Sequence, residues 1–169
     1  DISEDDVSVD DELDEINIAE KNVGLSSSIS NDELLEDEEI NYETVTMDNI
    51  GDYFYNNGSL IGDDNLEFVG DFSQTDDFNM FIIDKSIKLN LESAFFTNIG
   101  FNLMAPNLEI KDTSFDITAH YYNSSAILIN ADNITVDNIQ VSCETPYDGD
   151  FVFINVINSN NFKLSNMFI

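Results

Sequence analysis

The sequence predicts an all-β fold, a right-handed parallel β-helix (a solenoid), and three observations predict it. A short motif returns without gaps at three places in the second half of the chain. Each copy sets a strand-like alternation behind one asparagine. After residue 60 no stretch keeps a helical period over a useful length.

The three copies are APNLEIKDTSF (105–115), ADNITVDNIQV (131–141) and SNNFKLSNMFI (159–169). Each reads small residue, any residue, Asn, apolar, polar, apolar, polar, then Asp or Asn. The anchors are Asn107, Asn133 and Asn161. Two fainter copies lie upstream, with Asn65 before Leu66-Glu67-Phe68 and Ser86 before Ile87-Lys88-Leu89. Strands that return at this spacing without crossover helices leave few architectures. A propeller blade needs ~40–45 residues. A sandwich of hairpins does not bring one motif back at one phase. Stacked parallel coils do. Asparagine at a fixed corner fits, because it tolerates left-handed dihedrals and its amide can ladder from coil to coil.

The elements follow in order. Residues 1–45 hold 17 of the acidic residues against Lys21 alone, with no aromatic before Tyr42. Such a segment cannot bury enough apolar surface to offset its ordering entropy, so it is expected to be a disordered acidic leader, with at most a weak helix over Asp32–Glu39. Residues 46–80 are expected to cap the solenoid. Met47, Ile50 and Phe54 fall at i, i+3 and i+7, one face of a short amphipathic helix, and Asn56-Asn57-Gly58-Ser59 then makes a turn. Residues 81–169 are the coils. In the motif strands Leu108 and Ile110 point one way, Glu109 and Lys111 the other. A second strand precedes each anchor, at Phe101–Met104, Ala126–Ile129 and Phe151–Ile157. The growth from 21 to 26 and 28 residues per coil is assigned to inserted loops at His120–Ser125 and Glu144–Asp150.

This register makes two columns. Leu66, Ile87, Leu108, Ile134 and Phe162 should stack in one, and Phe68, Leu89, Ile110, Val136 and Leu164 in the next. Outside, Lys88 should lie beside Glu109 and Lys111 beside Asp137. The chain stops inside the fifth copy, where a bare strand edge and an open apolar core would normally be covered, so further coils are expected after residue 169.

Composition bounds the function. Acidic residues outnumber lysines 35 to 5, there is no arginine, and the formal net charge is −30. Nucleic acid and anionic membrane surfaces are excluded as partners. Weakly held cations or a complementary surface remain. No apolar run approaches the ~20 residues of a membrane span. The chain begins at Asp1 without a signal-peptide pattern and is read as a mature or trimmed chain. Cys143, the only cysteine, has no disulfide or zinc partner within the chain and is expected to sit half-buried as a small hydrophobe.

At this point the residues resemble a family. TMDNIGDYFYNNGSLIGDDNLEFVGDFS, then FIIDKSIKLN and FTNIGFNL, and above all ADNITVDNIQV, are similar to the opening of adhesin-like proteins of methanogenic archaea, over about residues 45–169. The resemblance implies a right-handed β-helix, export to the cell surface and a role in adhesion. It implies no catalytic residues.

Chemistry must be tested residue by residue, because polysaccharide lyases and hydrolases also use this architecture. Proton abstraction beside a carboxylate wants a basic residue, and lysines here come mostly one per coil. Hydrolysis wants carboxylates ~5–9.5 Å apart. Asp63-Asp64 and Asp76-Asp77 are adjacent, and neighbours on a strand face opposite ways. His120 has no histidine or cysteine partner for zinc. Asp148-Gly149-Asp150 and Gly62-Asp63-Asp64-Asn65 are oxygen-rich, without an EF-hand or nonapeptide calcium pattern. No catalytic residue, metal ligand or cofactor is therefore assigned. Tyr121, Tyr122 and Asn123 are the candidate binding residues, aromatic and polar side chains on one loop. Of three glycosylation sequons, Asn57 and Asn123 lie in expected loops, whereas Asn133 opens a strand and is expected to be structural. The reading is a non-catalytic, secreted or cell-surface, adhesin-like scaffold that presents loops to glycans or cell-surface proteins. The alternative is a carbohydrate-active enzyme of the pectin-lyase-like β-helix fold.

Overall fold

The computed structural model describes residues 39–74, 79–117, 125–143 and 152–169. Two sheets are built from ten strands. The first contains β1 (Glu43–Val45), β2 (Leu66–Ser73), β4 (Leu89–Thr97), β6 (Glu109–Ile117), β8 (Thr135–Cys143) and β10 (Lys163–Phe168), in that order. The second contains β3 (Met80–Ile83), β5 (Gly100–Leu103), β7 (Ile127–Ile129) and β9 (Ile154–Val156). Every pairing of neighbouring strands is parallel. Long and short strands alternate along the chain, so each coil contributes one of each. The result is a parallel β-solenoid of about four turns, as the repeat predicts.

Each long strand is bent once. In β6 the burial alternates up to Lys111, shows two exposed residues in a row at Lys111-Asp112, and resumes with Thr113 inside. Asp112 has φ 54°, and Asn138 and Asn166 do the same in β8 and β10 at 50° and 49°. In these three strands one left-handed residue turns the strand and flips its phase, so a single strand lines two sides of the coil; β4 changes phase at Glu92-Ser93 without one. In β2 the bend is made by Gly70, at φ 96°. Only Gly, Asn and Asp enter this region at little cost, which is why these residues stand there.

The anchors behave as the repeat implies. Asn107, Asn133 and Asn161 have φ of 64°, 58° and 62°. The Asn133 amide donates to Asn107 Oδ1 at 3.2 Å, and Asn161 donates to Asn133 Oδ1 at 2.9 Å. Downstream, the second column keeps its register: Ile110 pairs with Val136 and Val136 with Leu164, the first two fully buried and Leu164 exposed rather than buried.

Upstream they do not. Leu66 pairs with Leu89 rather than Ile87, and Glu67 with Asn90, so Phe68 does not stack on Leu89. Phe96 then pairs with Phe115. The coils are 23 and 19 residues at these points, not 21 and 21. A bulge between Glu67 and Val69 accounts for part of the difference. Ser86 is also not an anchor: its hydroxyl donates to the Pro106 carbonyl, while Asn65 Oδ1 accepts the Lys88 N–H at 2.8 Å.

The cap differs from its expectation in two ways. Its helix α1 is only Ile50–Tyr53. Phe54 leaves it to bridge Leu60, and the Asn56-Asn57-Gly58 turn closes with Tyr55 N–H on the Ser59 carbonyl at 2.9 Å. The face is still apolar, with Phe54 buried and Met47 and Ile50 packed on the core. Moreover, residues 43–45, expected in the leader, form β1, and Val45 is fully buried. Three residues that pair with Leu66–Phe68 leave no trace in the composition of an acidic segment.

The core is graded along the axis. Phe54, Phe68, Phe72, Phe81, Phe96, Phe101 and Phe115 form one aromatic cluster, with Phe72 and Phe96 stacked at 5.3 Å and Phe96 and Phe115 also at 5.3 Å. Later coils use Ile127, Ile129, Ile134, Val136 and Ile139. Each such side chain contributes roughly 1.5–3 kcal/mol by burial.

Candidate functional site

Two corners join the strands of each coil, and they follow different rules. From short strand to long strand the connections are 84–88, 104–108, 130–134 and 157–162: five, five, five and six residues. The asparagine anchors stand here. Asn107 N–H donates to the Asp132 carbonyl and Asn133 N–H to the Asn160 carbonyl, so this corner is itself hydrogen-bonded from coil to coil. From long strand to short strand the connections are 74–79, 98–99, 118–126 and 144–153: six, two, nine and ten residues. Nearly all of the variation in coil length enters at this second corner. Successive connections there start from strands that are neighbours in one sheet, about 4.8 Å apart.

The tightest coil shows what the corner costs when it is short. Gly100 opens β5 directly after Asn98-Ile99, and a Cβ on it would overlap the Ala126 carbonyl. That carbonyl accepts the Phe101 N–H at 2.8 Å. Only glycine admits this approach.

The outer faces of the long strands carry the remaining polar side chains. Before the bend lie Glu109, Thr135 and Lys163 in register, with Lys111, Asp137 and Ser165 beside them. Lys111 lies beside Asp137 in register and Lys88 shares a groove with Glu109, as expected, but the short contacts go elsewhere. Lys111 pairs with Glu109 on its own strand at 3.4 Å, and Lys88 lines a shallow groove with both. Asp137 instead accepts from the Ser165 hydroxyl at 2.7 Å and the Asn166 amide at 2.9 Å. Those two hydrogen bonds, with help from the Asn138 N–H and Lys163, hold its carboxyl below the usual range against a partly opposing desolvation. In the cap, partial burial and the carboxylates of Glu43, Asp52 and Asp64 raise the Tyr53 phenol.

After the bend the outward row is Asp71, Phe95, Ser114, Gln140 and Phe168, each in register with the next. Beside it run Ser73, Thr97, Asp116 and Ser142. Asp112, Asn138, Ser114, Gln140 and Phe168 line a groove along this side. The alternation read from the sequence did not find this row, because the left-handed residue inverts it. The available signal was the second Asp or Asn of each motif copy.

Of the residues singled out by sequence, Tyr121, Tyr122 and Asn123 lie outside the described residues, as do His120, Asp76-Asp77 and Asp148–Asp150. Their connections belong to the variable corner. Asn57 is exposed in the cap, its Oδ1 accepting the Ser59 N–H at 3.1 Å. Asn133 is engaged on both sides in the ladder. Asp63 and Asp64 are exposed. Cys143 is exposed rather than half-buried, because its position beside Ile117 lies beyond the last residue that β10 covers on β8. Among the described residues no group of three or more His, Cys, Asp or Glu could hold a metal, and no helix is long and apolar enough to cross a membrane.

No protein-family model, no curated protein and no solved structure matches this chain.

Proposed function

We propose that this chain is a non-catalytic scaffold of a secreted or cell-surface, adhesin-like protein, which presents loops from a β-helical rod for attachment to glycans or to other cells. The observation that carries the reading is the contrast between the two corners. One is held at five or six residues and knitted by asparagines, while the other varies from two to ten. A rod that varies at one edge only can change what it displays without changing how it stacks. The net charge of −30 keeps such a surface dispersed. Tyr121, Tyr122 and Asn123, in the nine-residue connection, are the contact residues under this reading.

The test is binding of the chain to arrayed glycans and to intact cells, with polysaccharide turnover followed in the same wells. Saturable binding without turnover, reduced by Tyr121→Ala with Tyr122→Ala, is the expected result. Turnover would replace the reading with the carbohydrate-active enzyme.

A further inference from the structure

The outer face of the short sheet differs from the charged exterior of the long one. Along β3, β5 and β7 alternate residues turn outward, and two rows run from coil to coil. Ile82, Asn102 and Leu128 are in register in the first row. Asp84, Met104 and Asn130 follow in the second, where the Met104 N–H donates to the Ile83 carbonyl at 2.8 Å and the Asn130 N–H to the Leu103 carbonyl at 2.9 Å. These positions hold one carboxylate and no lysine, in a chain of formal charge −30. Ile82 and Leu128 are half-buried, and Met104 is 45 % exposed. Asn102 stands in the middle. Asparagine is a poor strand former. Its Oδ1 here is shut off from solvent and accepts no hydrogen bond among the described residues. An acceptor left in that state is costly, so it calls for a donor from outside the coil.

We infer that this face binds a second copy of the same chain, sheet against sheet, about a two-fold axis that runs along β5. The inference goes beyond the attachment reading and stands without it. The pattern of the two rows is the first argument. Such an axis lays β5 on its own copy and exchanges β3 with β7. Ile82 then meets Leu128, Met104 meets Met104, and Asn102 meets Asn102. An amide both donates and accepts, so two Asn102 side chains turned to the axis satisfy each other. Charge is the second argument. Copies at −30 repel, so they meet where carboxylates do not oppose one another. The exchange sets Asp84, the one carboxylate of the two rows, against the Asn130 amide, a donor. The exterior of the long sheet is more charged, with Asp71, Asp112, Asp116 and Asp137 on it. Size is the third argument and sets the strength. Four strands ~4.8 Å apart and about five residues long cover roughly 300 Å², less than half of the ~800 Å² per partner in a stable complex. The dimer is therefore weak, with a Kd of about 0.1–1 mM, and counts where chains stand close together. Because the axis follows the strands, both copies run the same way, and their variable corners open on one edge of the pair.

The experiment is sedimentation velocity of the full chain from about 10 μM to about 1 mM, at low and at high salt. A monomer–dimer equilibrium is expected, and it should tighten several-fold as salt rises, because screening relieves the repulsion between copies. Met104→Lys sets two ammonium groups on the axis, and Asn102→Asp two carboxylates. Each should weaken association more than about tenfold, while Gln140→Lys, on the other sheet, leaves it unchanged. Met104 is exposed, so its variant keeps the fold, and amide spectra of the dilute variants check this. Cross-linking reads the geometry. In a Cys143→Ser background, Met104→Cys should join to its own copy through a bismaleimide of ~10 Å reach, the distance between facing sheets. Ile82→Cys should join faster to Leu128→Cys than to itself. A chain that stays monomeric up to about 1 mM at high salt overturns the inference. So does a dimer that Met104→Lys and Asn102→Asp leave intact, or one in which Ile82→Cys prefers its own copy.

Discussion

Asn133 carries three duties with one side chain. It holds a left-handed corner, donates to Asn107 and accepts from Asn161. Alanine removes both ladder bonds and strains the backbone, so Asn133→Ala should cost about 2–3 kcal/mol, and Asn133→Gly, which restores the dihedral, about half of that. Urea denaturation of the two variants separates backbone from side chain. Gly100 makes a different demand, for space rather than angle. Gly100→Ala should cost about 3 kcal/mol in the same assay, because backbone and not a flexible side chain lies in the way. The first of these residues was legible in the sequence and the second was not. A repeated asparagine is visible wherever the repeat is, but a close approach to Ala126 depends on how the next coil closes.

At the scale of elements, the stability of β10 should follow pH. Asp137, on β8, ties it down through Ser165 and Asn166, and its carboxyl is depressed below 3.8 in the folded state. A depressed folded pKa contributes stability that is present above the unfolded value and lost as pH falls through the folded one. Amide exchange in β10 should therefore quicken below about pH 4 while β4 and β6 stay protected, and Asp137→Asn should flatten that dependence. The strands themselves were largely legible, for a physical reason that also sets the limit. Downstream, the motif gives Ile110, Val136 and Leu164 one register because an asparagine fixes the corner before each strand. Upstream, Gly70 and a bulge do the turning and Ser86 does not, so Leu66 meets Leu89. The outward placement of Gln140 and Phe168 was hidden for a related reason: a period of two read across the left-handed Asn138 or Asn166 assigns every later side chain to the wrong face.

For the whole molecule, the two corners predict how insertions are tolerated. Two residues added between Tyr147 and Asp148 lengthen a connection that already varies and should cost less than ~1 kcal/mol, as loop-closure entropy grows slowly. The same two residues between Asp132 and Asn133 would break the hydrogen bonds from Asn107 N–H to the Asp132 carbonyl and from Asn133 to Asn107, and should cost several kcal/mol. Thermal denaturation of both variants checks the contrast. The loop assignment in the sequence pointed to this corner, from 120–125 and 144–150, because turn residues replace the alternation there. The chemistry of those loops was legible only as composition, in Tyr121, Tyr122 and Asn123.

The grading of the core also has a meaning in time. The strands of this fold pair with those of neighbouring coils, and the aromatic cluster, with Phe68, Phe81, Phe96 and Phe101 in mutual contact, leaves the ribosome before the aliphatic coils that follow it. The earliest coils can therefore settle before the later ones exist. Each later coil finds a finished edge, an asparagine amide and a row of aliphatic side chains waiting, and needs to close only its own loop to join them. Growth in the direction of synthesis would then add each coil to one already packed, as a template does.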